Sequence, residues 1–264
     1  MTKSADAATS AGMAGFAIAE CWGKGTSRRS ILLRGRDGRV DAALEDHRHA
    51  MFCSLFHDGV KVTAVESEFQ RYSLTHCAGA AAPLAELVGM DIGISTGDFF
   101  AGGRARHNCT HMLDLAWMAL RHCRRGNVDW LFEIDIPDAV SGPARGTLRR
   151  NGEEVLDWTV ENNVIVAPAR YAGRAMRGGF LRWAVDEAGL SDQEMEDCLV
   201  LHKGFFVVAA RQFASPSGRQ DPAFRKMVEG VCYGYAPERL DDAVSTEGMF
   251  RDFSDHPERL LRFE

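Results

Sequence analysis

The chain has 264 residues, of which 45% are hydrophobic and 26% are charged, and its formal net charge is −6. This length and composition are typical of a globular protein with a sizeable core. Because the charge is negative and no basic block occurs, we expect no nucleic-acid partner, which would need a concentrated cationic surface. No apolar run reaches the ~18 residues of a membrane span, so we expect no membrane partner.

The cysteines bear on the compartment. Seven are scattered along the chain without a Cys-x-x-Cys pair. An odd, unclustered set argues against a disulfide framework and favours a reducing, cytoplasmic setting. The apolar patch at 12–19 lacks a basic region before it, so we expect 1–25 to be a mobile or partner-packed arm, not a signal peptide.

Residues 29–70 have the pattern of a meander of β-strands. Asp37-Gly38 and Asp58-Gly59 separate extended runs, and Asp-Gly in that position is a strong hairpin signal. The middle run, 40–56, is apolar on both faces, which predicts a central strand. His47 and His49 lie two apart within it, so we expect them on one face.

Helices are predicted next, at Pro83, which suits a first helical turn, and from Cys109 to Arg125 with Asn108 as the N-cap. The second half repeats the order of strands, then helices. Strands are predicted over 128–161 with a hairpin at Asn151-Gly152. Further helices are predicted over 172–187, over 191–213 behind a Ser-x-x-Glu capping box, from Asp221-Pro222 and from Asp255-His256-Pro257.

Because strands and helices are grouped and do not strictly alternate, we predict an α+β fold with a mainly antiparallel meander sheet packed with helices. We expect residues 26–264 to form a single domain. Its motif-bearing half is 29–125 and its second half is 126–264.

The densest chemistry lies in "RARHNCTHMLDL", residues 104–115. A cysteine in the first turn of a helix is favoured as a thiolate, because backbone N–H groups and the helix dipole stabilise negative charge there. That reasoning applies to Cys109, and the same dipole would keep His111 neutral. The alternative is a helix start in which Cys109 is a small core residue and His111 is a satisfied polar side chain. The sequence leaves both interpretations open.

A second candidate stretch is "FQRYSLTHC", residues 69–77, where a strand leaves the sheet. The guanidinium of Arg71 suits a carboxylate, and Tyr72 or His76 could move a proton. An amphipathic strand end with exposed charge is an equally good interpretation. Farther along, Lys203 lies in a predicted helix beside the aromatic stripe Phe205, Phe206 and Phe213, which is typical of core or interface.

A metal site is a further alternative. His47 and His49 together with Cys77, Cys109 and His111 would supply the ligand types of tetrahedral zinc. No pair of them has a recognised zinc-ligand spacing, so we expect no metal. Motifs for nucleotide cofactors, phosphate loops, serine hydrolases and zinc proteases do not occur either, which favours side-chain acid/base chemistry without a cofactor.

Through these residues the chain resembles a bacterial domain family of unknown function. The resemblance consists of an "LEDHRH"-like strand, an Arg-x-x-x-x-x-Cys element from Arg71 to Cys77, an "LVG" helix end and a Gly-Cys-Thr-His-Leu motif. That motif reads Asn108-Cys109-Thr110-His111-Met112 here, so its glycine and leucine are replaced. The match covers about residues 29–125, and the tail "GMFRDFSDHPERLL" is similar to that of the longer members.

Among these longer members the chain is similar to phenylcoumaran gamma-formaldehyde lyases of lignin-dimer catabolism. The resemblance implies a carbon–carbon lyase of the aldehyde-lyase type that expels formaldehyde from a hydroxymethyl group. The adjacent aryl ether opens and a stilbene forms. Such a reaction needs a base, a donor for the departing phenolate and a cation for a carboxylated side chain, but no redox cofactor.

We therefore expect an aromatic small-molecule substrate and catalytic roles for His111, Tyr72, His76 and Cys109. The residues expected to bind the substrate are Arg71, Arg104, His107, His49 and Lys203. Two alternatives stay open, namely a metal- or cluster-binding accessory protein using Cys77, Cys109, His111 and His49, and a non-catalytic small-molecule binding module. Elemental analysis of the purified protein distinguishes the metal- or cluster-binding protein from the other two candidates. Formaldehyde release from lignin-derived dimers distinguishes the lyase from a non-catalytic binding module.

We also expect a homodimer or higher oligomer. The two-faced apolar strand and the stripe of Phe205, Phe206 and Phe213 offer more apolar surface than one core needs. Light scattering at micromolar concentration should give at least twice the mass of one chain. A monomeric mass would count against this expectation.

Overall fold

The structure is a computed structural model that describes residues 17–214, 218–219, 222–246 and 248–263. Most of the predicted arm, residues 1–16, lies outside the described residues. Residues 17–25 run beside the end of the last long helix, where the N–H of Ala19 donates to the carbonyl of Gln212. Within the described part of the chain, no helix has the length and apolarity that crossing a membrane requires.

One antiparallel sheet of eight strands forms the centre of the fold, in the order β4-β3-β2-β1-β5-β6-β7-β8. The strands are β1 (Thr26–Arg36), β2 (Arg39–Asp46), β3 (Ala50–His57), β4 (Val62–Arg71), β5 (Asp129–Pro137), β6 (Ala144–Arg150), β7 (Glu153–Glu161) and β8 (Val164–Ala167). The predicted α+β fold with a meander sheet is confirmed, and 128–161 adds its strands to the same sheet. Gly38 and Gly152 have φ values of 69° and 84°, the left-handed conformation that tight hairpin turns require.

Seven helices lie in the described part of the chain. They are α1 (Thr96–Phe100), α2 (Arg104–His107), α3 (Thr110–His122), α4 (Phe180–Arg182), α5 (Asp192–Gln212), α6 (Pro222–Val228) and α7 (Pro237–Leu240). Short 3-10 turns occur at Cys77–Ala81, Pro83–Leu87, Ala101–Gly103, Tyr233–Tyr235 and Pro257–Arg259, and a two-residue pair joins Gly218–Arg219 to Val244–Ser245. The capping box is present before α5, since Ser191 and Glu194 exchange side-chain and backbone hydrogen bonds.

The two halves of the chain have the same organisation, a four-stranded meander followed by one long helix. β1 and β5 form the central antiparallel pair, with Ile31 opposite Phe132. Helix α3 packs mainly on β2 and β3, and α5 packs mainly on β5, β6 and β1. The strand order is therefore symmetric about the β1–β5 pair, and the two long helices lie side by side on one face of the sheet.

Ion pairs show that α3 and α5 run antiparallel. Near the start of α3, Asp114 lies 2.8 Å from the ammonium of Lys203 in the middle of α5. At the end of α3, Arg121 and Arg125 pair with Glu196 near the start of α5. The side chain of Glu196 is fully buried, so these arginines close that end of the helix pair.

The C-terminal segment 248–263 covers part of the opposite face of the sheet. The N–H of Leu261 donates to Glu45 of β2 at 2.6 Å, and the ring of Phe263 lies 4.2 Å from that of Phe52 of β3. Phe253 is buried as well. This covering explains how Glu45, which faces away from the helices, is only 1% exposed.

The helix predicted over 172–187 is wrong in its first half. Only Phe180–Arg182 and a π-helical turn at Trp183–Glu187 are helical. Gly173, Gly178 and Gly179 adopt positive φ values of 86°, 70° and 77°, which a right-handed helix excludes. The apolar pattern of the segment includes the loop residue Met176, which packs into the core.

The contact between α5 and β5 gives a stability prediction. A Cβ atom on Gly204 would lie 2.7 Å from Cγ2 of Ile134. Gly204→Ala should therefore overpack the interface at a cost of up to ~3 kcal/mol, more than the ~1 kcal/mol of helix propensity that alanine adds. Urea unfolding should show a lower midpoint. Gly97→Ala in α1 is the matched control, because its Cβ would meet nothing closer than 3.8 Å, and its midpoint should stay equal or rise. An unchanged midpoint for Gly204→Ala would argue against this close approach.

Candidate functional site

A cavity of about 220 Å³ lies between α3 and α5, above β1 and β2. Its apolar wall consists of Ile31, Leu44, Phe100, Ala105, Leu113, Leu115, Trp117, Met118, Leu181, Leu199, Val200 and Phe206. Five polar side chains complete the lining, namely Arg29, Thr110, Asp114, His202 and Lys203. A mostly apolar cavity with a few convergent polar groups is the usual form of a small-molecule site.

Two ion pairs contribute side chains to the lining of this cavity. The ammonium of Lys203 and the carboxylate of Asp114 are 2.8 Å apart, and each side chain is about a quarter exposed (25% and 23%). Arg29 of β1 faces the helices and donates through Nη1 to Asp46 at 2.5 Å, with both side chains almost fully buried. Lys203 was predicted to bind substrate, whereas Arg29 and Asp114 were not recognised from the sequence.

Asp46 is fully buried and receives four hydrogen bonds. Besides Arg29, its donors are the backbone N–H groups of Arg48 and His49, each at 2.8 Å, and Nδ1 of His49 at 3.0 Å. Burial by itself opposes ionisation, but His49 and Arg29 hold the pKa of Asp46 well below its usual range. Asp46 is therefore a carboxylate, and His49 uses Nδ1 to bind it.

These bonds correct the prediction of one long strand over 40–56. The chain turns at 47–49, between β2 and β3, because an aspartate that accepts from N–H groups two and three residues ahead forms a turn in place of a strand ladder. His47 and His49 consequently do not share a strand face. The ring centres of His47 and Phe250 are 5.8 Å apart, and those of His49 and His111 are 4.0 Å apart.

His49 and His111 are the predicted residues that the fold brings into direct contact. Their rings are tilted by 37°, and Nδ1 of His111 is buried without a hydrogen-bond partner. Burial first, and then His49, Arg29 and Lys203, lower the pKa of His111 well below its usual value. The neutral imidazole expected from the sequence is therefore confirmed, but burial is its main cause. Asp46, His49 and His111 form a row that adjoins Arg29.

The start of α3 differs from the prediction. Cys109, not Asn108, is the N-cap, and no side chain caps the helix. The amide of Asn108 instead donates to Glu86 at 2.7 Å and to the carbonyl of Arg104 at 3.1 Å. Burial raises the pKa of Cys109 to about 11, so of the two interpretations that the sequence left open, the thiolate is wrong and the group is a thiol at neutral pH.

Arg71 lies on the other face of the sheet from the cavity. A register shift between Ala50 and Met51 puts Arg71 opposite Ala50, on the same face as Glu45. Its guanidinium binds Glu45 at 2.7 Å and the carbonyl oxygens of Met249 and His49. These bonds hold the C-terminal segment against the sheet.

The remaining predicted residues also lie outside the lining of the cavity. The backbone carbonyl of Tyr72 accepts from Thr246, and its ring packs edge-on against Phe69. His76 is the N-cap of the 3-10 turn Cys77–Ala81, and its Nε2 is buried without a hydrogen-bond partner. Arg104 pairs with Glu86 at 3.3 Å, and His107 is exposed. His49, His111 and Cys109 do not line the cavity either, so Lys203 is the one predicted site residue in its lining.

His202 is a cavity residue that was not recognised as a site residue. Its Nε2 lies 2.7 Å from the carbonyl of Met176, and its ring stacks on Phe180 with centroids 3.9 Å apart. Burial lowers the pKa of His202 to about 4, so the ring is neutral. Nε2 carries the proton, because it must donate to a carbonyl, and Nδ1 is left as an acceptor. The sequence offered one signal for this residue, because His202 and Lys203 are adjacent polar residues within an apolar helical stretch.

Metal ligands are not gathered at this site. Within the ranges that the structure describes, no group of three or more His, Cys, Asp or Glu side chains could hold a metal ion. All seven cysteines lie in those ranges as free thiols.

Comparisons of the chain with known protein families, with curated proteins and with solved structures gave no match. A proposal for the function consequently rests on the side chains of the site and on the resemblance seen in the sequence.

The turn at 47–49 gives a pH prediction. His47 is 2% exposed, neither ring nitrogen has a partner, and burial lowers its pKa to about 3. Below pH ~6.5 the unfolded chain takes up a proton that the folded chain does not, so stability falls as the pH falls. Between pH 7.5 and pH 5 the loss is ~2 kcal/mol from this group.

His47→Phe should remove that loss. Urea unfolding at both pH values should show that the variant gains ~2 kcal/mol relative to the wild type on going to pH 5. His256→Phe, at an exposed position, is the control. Parallel pH dependence of wild type and His47→Phe would show that His47 is not held neutral.

Proposed function

We propose that the chain is an enzyme that acts on an aromatic small molecule by side-chain acid/base chemistry. One observation carries the proposal. An apolar cavity with aromatic side chains in its wall has a polar end at Arg29, and Arg29 adjoins the row of Asp46, His49 and His111. Apolar surface suits a flat ring, and a neutral imidazole supported by a buried carboxylate suits proton transfer.

The reaction class that we propose is a carbon–carbon lyase of the aldehyde-lyase type. A base removes the proton of a hydroxymethyl group, and the oxygen forms the carbonyl of formaldehyde as the carbon–carbon bond breaks. The released electron pair forms the double bond of a stilbene, and the adjacent aryl ether opens. The departing phenolate takes up a proton. Since the electron count does not change, no redox cofactor is required.

We assign proton removal to His111. Its imidazole is neutral at neutral pH, and its Nδ1 has no competing partner. His49 lies against it, and Asp46 fixes the tautomer of His49 by accepting from Nδ1. A carboxylate in this position orients an imidazole and stabilises positive charge that forms on the histidine pair.

We assign protonation of the phenolate to Lys203. Its ammonium lines the cavity, and Asp114 holds it at 2.8 Å. A positioned ammonium stabilises the developing negative charge of a phenolate and supplies a proton to it. Cys109 remains a thiol, and its role in the proposal is to support the start of α3 beside His111.

We infer a cytoplasmic location for this enzyme. Seven free thiols, four of them buried, persist most readily in a reducing compartment.

The test is formaldehyde release from lignin-derived hydroxymethyl dimers. Loss of a general acid or base lowers turnover by ~10²–10⁴-fold, and we expect His111→Ala to fall in that range. Cys109→Ser should be milder, because the thiol carries no proton-transfer step. His256→Gln, at an exposed site, is the matched control and should retain wild-type turnover.

Near-wild-type turnover in His111→Ala, with its unfolding midpoint unchanged, would refute the role of that residue. Binding of the dimers without any release of formaldehyde would instead favour a binding module.

A further inference from the structure

The guanidinium of Arg29 is the most buried cation on the cavity wall. Arg29 is 3% exposed, whereas the side chain of Lys203 is 25% exposed. The guanidinium donates to Asp46 through Nη1. Its Nε is buried and has no hydrogen-bond partner, and no bond from Nη2 to another described residue occurs.

One edge of the guanidinium is therefore without a hydrogen-bond partner among the described residues. A guanidinium has five N–H donors in a rigid planar fork. Asp46 holds the Nη1 end, so the Nε and Nη2 donors form the remaining edge, with two roughly parallel N–H bonds. That edge matches the two oxygens of a carboxylate, which arginine binds bidentately.

The surroundings of Arg29 suit an acid carried on an aromatic ring. Ile31 and Leu44 lie beside Arg29 on the cavity floor, and Phe100, Trp117 and Phe206 are aromatic parts of the wall. The two carboxylates nearest the cavity, Asp46 and Asp114, are each already paired with a cation. An incoming anion therefore meets no unpaired negative charge there.

We propose that the Nε and Nη2 edge of Arg29 binds the carboxylate of an aromatic acid, so that Arg29 determines specificity for carboxylated substrates. This inference rests on the proposed function and identifies the carboxylate as the group of the substrate that the protein recognises. It gives to Arg29 the role that the sequence predicted for Arg71, whose guanidinium binds Glu45 on the opposite face of the sheet.

The test is calorimetric binding of trans-cinnamate and of its methyl ester to the full chain. Neither compound has a hydroxymethyl group, so binding is measured without turnover. Wild-type protein should bind the acid about 10- to 100-fold more tightly than the ester, the range expected for charge-assisted hydrogen bonds. Arg29→Lys keeps a cation beside Asp46 but loses the Nε and Nη2 edge, and it should lose at least tenfold of that preference.

Arg29→Met is the stronger substitution, and Arg29→Lys covers the case in which the buried Asp46 prevents Arg29→Met from folding. Arg28→Met is the matched control. Arg28 is the neighbouring residue on the same strand, but it faces the other way and pairs with Asp135 at 2.6 Å. Its preference for the acid should equal that of the wild type.

Equal binding of acid and ester by the wild type, or an unchanged preference in Arg29→Lys, would overturn the assignment. Selective binding of the acid without any formaldehyde release would support the Arg29 site and contradict only the proposed lyase activity. Release of formaldehyde from neutral and carboxylated dimers at equal rates would leave the lyase intact and overturn only the Arg29 site.

Discussion

The buried carboxylate of Asp46 connects the sheet, the turn and the candidate site. Its hydrogen bonds come from Arg29 of β1, from the turn backbone at Arg48 and His49, and from the imidazole of His49. A fully buried charge is tolerated only where donors replace the lost water. The shape of the turn, the inward direction of Arg29 and the orientation of His49 are therefore consequences of one ionised group.

The two halves of the chain have the same organisation, but the space between their long helices is used differently at its two ends. At one end Arg121 and Arg125 pair with Glu196, and the guanidinium of Arg125 lies 3.9 Å from the ring centre of Trp130. At the other end the cavity lies between the helices and contains the Asp114–Lys203 pair. A nearly symmetric scaffold thus has one end filled by arginine and tryptophan and one end available to a ligand.

Local features of the fold could be predicted from the sequence. The hairpins at Gly38 and Gly152 and the capping box at Ser191 each depend on residues a few positions apart, and all occur. The turn at Asp46 was not predicted, because the polar stretch 45–49 contains no glycine or proline. Its cause is a set of side-chain bonds, one of which comes from β1.

The candidate site was only partly predictable for the same reason. His49, His111 and Lys203 were named from residue type and local pattern, and the fold brings them near Arg29. The face on which Arg71 lies depends on a register shift at Ala50, which no alternation pattern reveals. Arg29 lies in "RRSILLRGR", where arginines occur on both faces, so only the packing of the helices shows which one is buried.

The measurement that tests this account most directly is a crystal structure of the protein with trans-cinnamate bound. The account predicts the ring between α3 and α5, beside Trp117 and Phe206, with both carboxylate oxygens on the Nε and Nη2 edge of Arg29 and His111 close by. A ligand bound at another surface, with the space between α3 and α5 empty or closed, would contradict it.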